Sequence, residues 1–342
     1  MASTWLPDDL LSVAYRLAAA DMYAYEIFEL ISAWSYNHPI RMQNYWRDKQ
    51  AKTYEARVVA VRPVPPLVMV HFSDGIHQVR AALDNVVWHL ANQANGPLSA
   101  RQAHLISMPI HTDATKYESW VQRRVGAGLT CFAATQTLGV RLQSLQPFAD
   151  PTEGIASMGE LLALLSGMDR HVAHPLLLLQ AYSNLDKHRK IAVSAARGFH
   201  AVFDMPFLDQ DRRQHPVKVG DVLATGVWGQ LTMLETSIAA TIQRPHVTDT
   251  WVNPAKELSS LRRYVADIAI PILLKGVALP GSIPPKVDLS DSGQNDRERL
   301  HSAGGEDATA RFAPKLSQVY SEAMAREPDW IGEPIDDASE NP

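Results

Sequence analysis

His77, Arg80 and Asp84 are spaced by three and four residues and so share one face of any helix that carries them. A guanidinium can hold an anionic group, an imidazole can move a proton, and a carboxylate can orient both. Trp88 extends the row, and His89 lies a turn beyond Asn85. The same residues equally make an ordinary Arg80–Asp84 helical ion pair beside a boundary histidine, worth about 0.3–0.5 kcal/mol when exposed. A second cluster reads Asn184-Leu185-Asp186-Lys187-His188-Arg189, with Lys190 after it. At a helix C-terminus its cations complement the helix dipole. As a site, Lys187, His188 and Arg189 face a phosphate and His188 serves as acid or base. Asn184, four residues before His188, points the same way.

Other chemistries are thinly supplied. Asp169, His171 and His174 form a two-histidine, one-carboxylate set of the kind that holds zinc or iron. Both histidines precede Pro175 in an expected turn, however, and lack the glutamate that zinc peptidases place between two helical histidines. Ordinary loop residues are the better reading, so no metal and no cofactor are assigned. There is no glycine-rich phosphate loop, dinucleotide fingerprint or nucleophile elbow. The single cysteine, Cys131, sits among Leu129, Phe132 and Ala133 as an inert core thiol. One cysteine excludes an internal disulfide and suits a reducing compartment.

The elements that must position these groups follow from periodicity. Residues 8–35 predict a long helix with a seam of Leu10, Val13, Leu17, Ala20, Ala24, Ile27, Ile31 and Trp34, ended by Pro39. The His77 row belongs to a second helix over 67–95, striped by Phe72, Ile76, Val79, Leu83, Val86 and Leu90. Strands are expected at Tyr54–Val61, Leu105–Ile110, Ile191–Asp204, Val217–Thr225 and Thr232–Arg244. Further helices are expected at Tyr117–Val125, Thr135–Leu145, Met158–Met168 and Leu176–His188. Another, over Pro254–Val277, is capped by Asn253 and kinked at Pro271. Strands and helices do not alternate as βαβ units, which makes the class α+β: an antiparallel helical bundle core with a small accessory β-sheet.

Charge divides the chain. All 342 residues carry 32 Lys and Arg against 37 Asp and Glu, a net of −5. Residues 281–342 alone hold 13 acidic and 6 basic groups, which leaves the rest at a net of +2. With repeated prolines and few large aliphatics, that segment predicts a single folded domain over 1–282 and an acidic, mostly disordered tail over 283–342. A short helix is expected within the tail near Phe312–Arg326. The overall balance removes the general argument for a nucleic-acid binder but leaves room for a local basic site. No apolar run is long enough for a membrane span and no basic run precedes an apolar start, so a cytoplasmic protein with no membrane contact is expected.

Two motifs carry a resemblance. Ser73-Asp74-Gly75-Ile76-His77-Gln78-Val79-Arg80-Ala81-Ala82-Leu83-Asp84-Asn85 resembles the G-D-x-x-H-x-x-R-x-A-L-D-H signature of a family of uncharacterised bacterial and phage-associated proteins. Asn184–Arg189 resembles that family's N-x-D-K-H-R element. Met108-Pro109-Ile110 and Leu145-Gln146-Pro147-Phe148 are similar to its short Phe-Pro-Ile and Leu-Gln-Pro-Tyr elements, in the same order, within about residues 40–205. A looser resemblance is to HEPN ribonucleases, in which an arginine is followed five residues later by a histidine. Arg80 matches, and Asn85 stands where that histidine would be. The HEPN likeness implies metal-independent RNA cleavage, a homodimer that brings two motifs together, and a role as a toxin or in phage defence.

Two functions follow. One is a non-catalytic interaction or structural protein with a buried His77/Arg80/Asp84 network, whose acidic tail binds a protein partner or keeps the chain soluble. The other is an RNA-cleaving enzyme with Arg80 on the scissile phosphate, His89 or His188 as acid and base, and Asp84 as orienter. Asn85 favours the first.

Overall fold

The computed structural model describes residues 5–150, 154–188, 191–202, 215–229, 234–324 and 332–337. After a 3-10 turn at Asp8–Leu10, helix α1 spans Leu11–Tyr36, and its whole expected seam is buried. Asn37 closes it by donating from Nδ2 to Ala33 O (2.7 Å). The chain then forms a hairpin of β1 (Ile40–Asp48) and β2 (Thr53–Val61), with Trp46 opposite Tyr54 and Tyr45 opposite Glu55. β1 lacks a clean alternation and was not expected; its burial pattern shows why, with Asn44 its only fully buried position. Helix α2 (Pro66–Asn95) opens on a proline at N1 and stops at Gly96, where φ is +73°. It lies along α1, and Gly75 lets Leu258 come close: a Cβ there would sit 2.4 Å from Leu258 Cδ2.

Helices α3 (Ala100–Ala103), α4 (Ala114–Gly126) and α5 (Thr137–Ser144) follow. The strand expected over Leu105–Ile110 is instead an irregular stretch that joins no sheet. Short strands β3 (Ile155–Ala156) and β4 (Val172–Ala173) pair around α6 (Glu160–Ser166), and α7 spans Pro175–His188. Next come β5 (Val193–Val202), β6 (His215–Pro216), β7 (Val222–Val227), β8 (Leu234–Gln243) and β9 (Trp251–Val252). β7 extends the first hairpin into a sheet of order β1-β2-β7, while the others form β6-β5-β8-β9; every strand pair is antiparallel.

Helix α8 (Pro254–Tyr264) begins where Asn253 accepts from Lys256 N (3.0 Å). It passes through a π turn at Val265–Ala269 into α9 (Ile270–Lys275). Pro271 has no N–H to return to Asp267, and Leu279 N takes that carbonyl instead (2.8 Å). Sequence and structure therefore agree on the α+β class, with α1, α2, α8 and α11 (Ala308–Met324) packed together beside small antiparallel sheets. Among the described residues no helix is long and apolar enough to cross a membrane.

Part of the segment from 283, expected to be mostly disordered, packs on the body among the described residues. Ile283, Leu300, Ala308 and Phe312 are buried. Helix α10 (Asp296–His301) docks through Tyr15 Oη to Asp296 Oδ1 (2.6 Å), and α11 runs along α1. Asp21, in the middle of α1 and 1% exposed, accepts from Ala308 N (2.8 Å) and pairs with Arg311 (2.8 Å). Burial pushes the Asp21 carboxyl up, and the Ala308 N–H and Arg311 oppose that. Phe312 stacks on Phe28 with centroids 5.0 Å apart. Ile335 exchanges backbone bonds with β1: its O accepts from Trp46 N and its N donates to Asn44 O (3.0 Å each). Composition hid this packing because the segment's contacts are mostly charged, and its partners lie almost 300 residues upstream.

Deleting 290–342 is therefore expected to lower the thermal midpoint by many degrees, since it strands the Asp21 carboxylate without its partners. Phe312→Ala alone should cost about 3 kcal/mol. Calorimetry showing an unchanged midpoint in the deletion would contradict the packing.

Candidate functional site

The row on α2 faces the irregular stretch and α7. Asp84 Oδ1 accepts from Met108 N (2.8 Å), and Arg80 Nη2 donates to Met108 O (2.7 Å). Arg80 Nε also donates to Asp84 Oδ2 (3.2 Å), and its Nη1 donates to Gln180 Oε1 (3.3 Å). Gln180 in turn donates to Asn184 Oδ1 (2.8 Å). The Arg80 side chain is 14% exposed and that of Asp84 33%. From the other side, buried Gln146 donates to Pro109 O (3.0 Å) and Leu142 O (2.9 Å) and accepts from His111 N (3.0 Å). The peptide groups of Met108–His111 are thus gripped by side chains where a sheet neighbour would otherwise stand.

The remaining expected site residues divide. His77 is exposed on the same face of α2. Ser73, one turn earlier, donates to Asp186 on α7. Asn85 turns toward α1: with its nitrogen on Ala81 O (3.3 Å), its oxygen accepts from Arg16 Nε (3.1 Å). His89 is buried, with Nε2 unpartnered. Nine residues at about 100° each place it on the opposite side of α2 from Arg80, so the two share no site. Asn184 joins Arg80 through Gln180. Lys187 and His188 end α7, but their side chains lie outside the described residues, as does all of Arg189.

A more deeply buried cluster escaped the sequence. Arg244, just after β8, binds Glu257 of α8 with both arms, Nε to Oε1 (2.9 Å) and Nη2 to Oε2 (2.8 Å). Tyr182 Oη donates to Glu257 Oε1 (3.1 Å), and Arg244 Nη1 donates to His171 O (2.9 Å). The usable signal was Glu257 lying next to Leu258 and four before Leu261 on the apolar stripe of α8, where a lone acid implies a buried cation. The cluster borders a small cleft of about 110 Å³ between Ser157, Leu162, Trp251 and Lys256.

His171 and His174 part company. His171 lies against Arg244, whereas His174 caps α7, accepting at Nδ1 from Leu176 N (3.2 Å). Among the described residues no three His, Cys, Asp or Glu groups are placed to share a metal ion. Burial pushes the His174 ring down to about 4, with Asp150 opposing. A neutral ring suits the cap, because a protonated Nδ1 would face the Leu176 N–H at the positive end of the helix dipole. Burial likewise pushes the Cys131 thiol up.

Comparison with protein-family models, with curated proteins and with solved structures finds no match to this chain.

Two outcomes follow from this geometry. Arg244→Ala should destabilise by about 3–5 kcal/mol by leaving Glu257 buried and unpaired, whereas Arg244→Met with Glu257→Leu should cost much less. Chemical denaturation of the three proteins checks it. Separately, between pH 6.5 and about 4 the unfolded chain protonates residue 174 and the folded chain does not. Stability attributable to this residue therefore falls as pH drops through that window, by on the order of 3 kcal/mol. His174→Asn keeps a cap acceptor without titrating, so its denaturation midpoint should change less between pH 7 and pH 4.5.

Proposed function

We propose that this chain is a non-catalytic α+β interaction protein in which Arg80 and Asp84 clamp the Met108–His111 stretch between α2 and α7. The observation that carries this reading is the inward engagement of the guanidinium. All three of its nitrogens donate within the protein, to Asp84, Gln180 and Met108. An arginine that stabilises a phosphoryl transition state presents its fork to the substrate instead. The HEPN spacing would put its imidazole five residues after Arg80, where Asn85 instead turns to Arg16, and His89 lies across the helix.

We also propose kinship with the bacterial and phage-associated family. What supports it is that the resembled elements meet in this clamp: the Arg80/Asp84 row, Met108-Pro109-Ile110, Gln146, and Asn184 through Gln180. The acidic C-terminal segment serves the body in this reading. Asp296, Asp307, Asp336 and Asp337 pair with Tyr15, Arg263, Lys49 and Arg57.

Incubation of the full chain with total RNA and with DNA, in EDTA and in magnesium, is expected to leave both substrates intact. Asn85→His should confer no cleavage. Arg80→Ala and Arg80→Lys should both lower stability by about 1–3 kcal/mol, because a lysine cannot reach three acceptors at once. Cleavage by the wild type that disappears in a normally stable Arg80→Ala protein would overturn the reading.

A further inference from the structure

The clamp ends at His111, and what surrounds that ring is a concentration of positive charge. His111 is half-buried, edge-on to Tyr117 (6.0 Å between centroids) and tilted against Trp120 (6.5 Å). The Arg124 guanidinium lies over the Trp120 ring at 4.7 Å, tethered by Nε to Leu105 O (3.2 Å). Lys116 and Arg123 are exposed and seven residues apart, so they stand on one face of α4, and Glu118 falls on the opposite side. Neither Lys116, Arg123 nor Arg124 forms an ion pair with a described carboxylate, in contrast to Arg57, Arg263, Arg297, Arg311 and Lys315. Asp113, two residues after His111, is turned back to cap α4 and accepts from Thr115 N and Lys116 N. The electrostatics agree: burial and then the charges of Arg123, Arg124 and Lys116 hold the His111 ring below its usual range. The Arg124 side chain is held down by burial and by Arg123.

Cations interleaved with flat groups are the equipment for a chain of phosphates whose bases are free to stack. A duplex hides its base faces and demands a broader cationic footprint. An acidic peptide would use the charges but leave the imidazole and the stacked guanidinium without a role. We propose that this corner of α4 binds single-stranded nucleic acid, with Lys116 and Arg123 on successive phosphates and a base against His111 and the Arg124 guanidinium. The inference rests on the non-catalytic reading above in one respect, that the clamp fixes where His111 stands.

The test is fluorescence anisotropy of a labelled oligouridylate 12-mer with the full chain. About two neutralised phosphates should make log K fall with log salt at a slope of about −1.4, a loss of about sevenfold from 50 to 200 mM. Lys116→Gln with Arg123→Gln, both at the surface, should weaken binding at least tenfold and leave the thermal midpoint unchanged. Absence of binding at 50 mM salt overturns the proposal. So does equal competition by polyglutamate or by a duplex of the same length, or undiminished binding by the double variant. Thermal behaviour of the Arg80 variants reports the clamp independently, so the two ideas fail separately.

Discussion

A buried peptide that belongs to neither a helix nor a sheet has to find its hydrogen-bond partners among side chains, at a cost of about 1–3 kcal/mol for each group left without one. Met108 and Pro109 are such peptides, buried and outside every sheet. The residues that look most like chemistry in this chain are the ones that answer that demand. Asp84 supplies the acceptor, Arg80 and Gln146 supply donors, and Arg80 continues to Gln180 on α7. One side-chain network thereby fixes the relation of α2, α7 and the segment that leads into α4.

A second demand is electrostatic. The last sixty residues carry the acidic excess and the rest carries a slight basic one, and the fold brings the two together. The C-terminal segment places carboxylates on Arg263, Lys49 and Arg57, while Asp21 in α1 receives both the first N–H of α11 and the Arg311 guanidinium. Individually the exposed pairs contribute little. Asp21 differs because it is buried, and removing its partners would leave a charge that water cannot reach. The segment is therefore part of the body's electrostatics, and Leu300 and Phe312 make it part of the core as well.

Much of this was legible in the sequence. The seams of α1 and α2, the Asn253 cap and the disruption associated with Pro271 follow from spacing and from what each residue can donate. So does the placement of His77, Arg80 and Asp84 on one helical face. What was not legible depends on distance along the chain. That Arg80 and Asp84 turn inward to Met108, that Asn85 meets Arg16, and that Arg244 meets Glu257 are facts of tertiary pairing. In the C-terminal segment, low apolar content argues against ordering only when no complementary surface awaits it. Residues 105–110 misled because an extended, apolar stretch has the same composition whether its partners are strands or side chains.

Amide hydrogen exchange at Met108 reads the clamp itself, since Asp84 is the acceptor that holds that amide. The Met108 N–H should be protected far beyond a surface loop in the wild type. Asp84→Ala should lose this protection while the amides in the middle of α1 keep theirs. A Met108 amide that exchanges in the wild-type protein as fast as in an unstructured peptide would contradict the clamp.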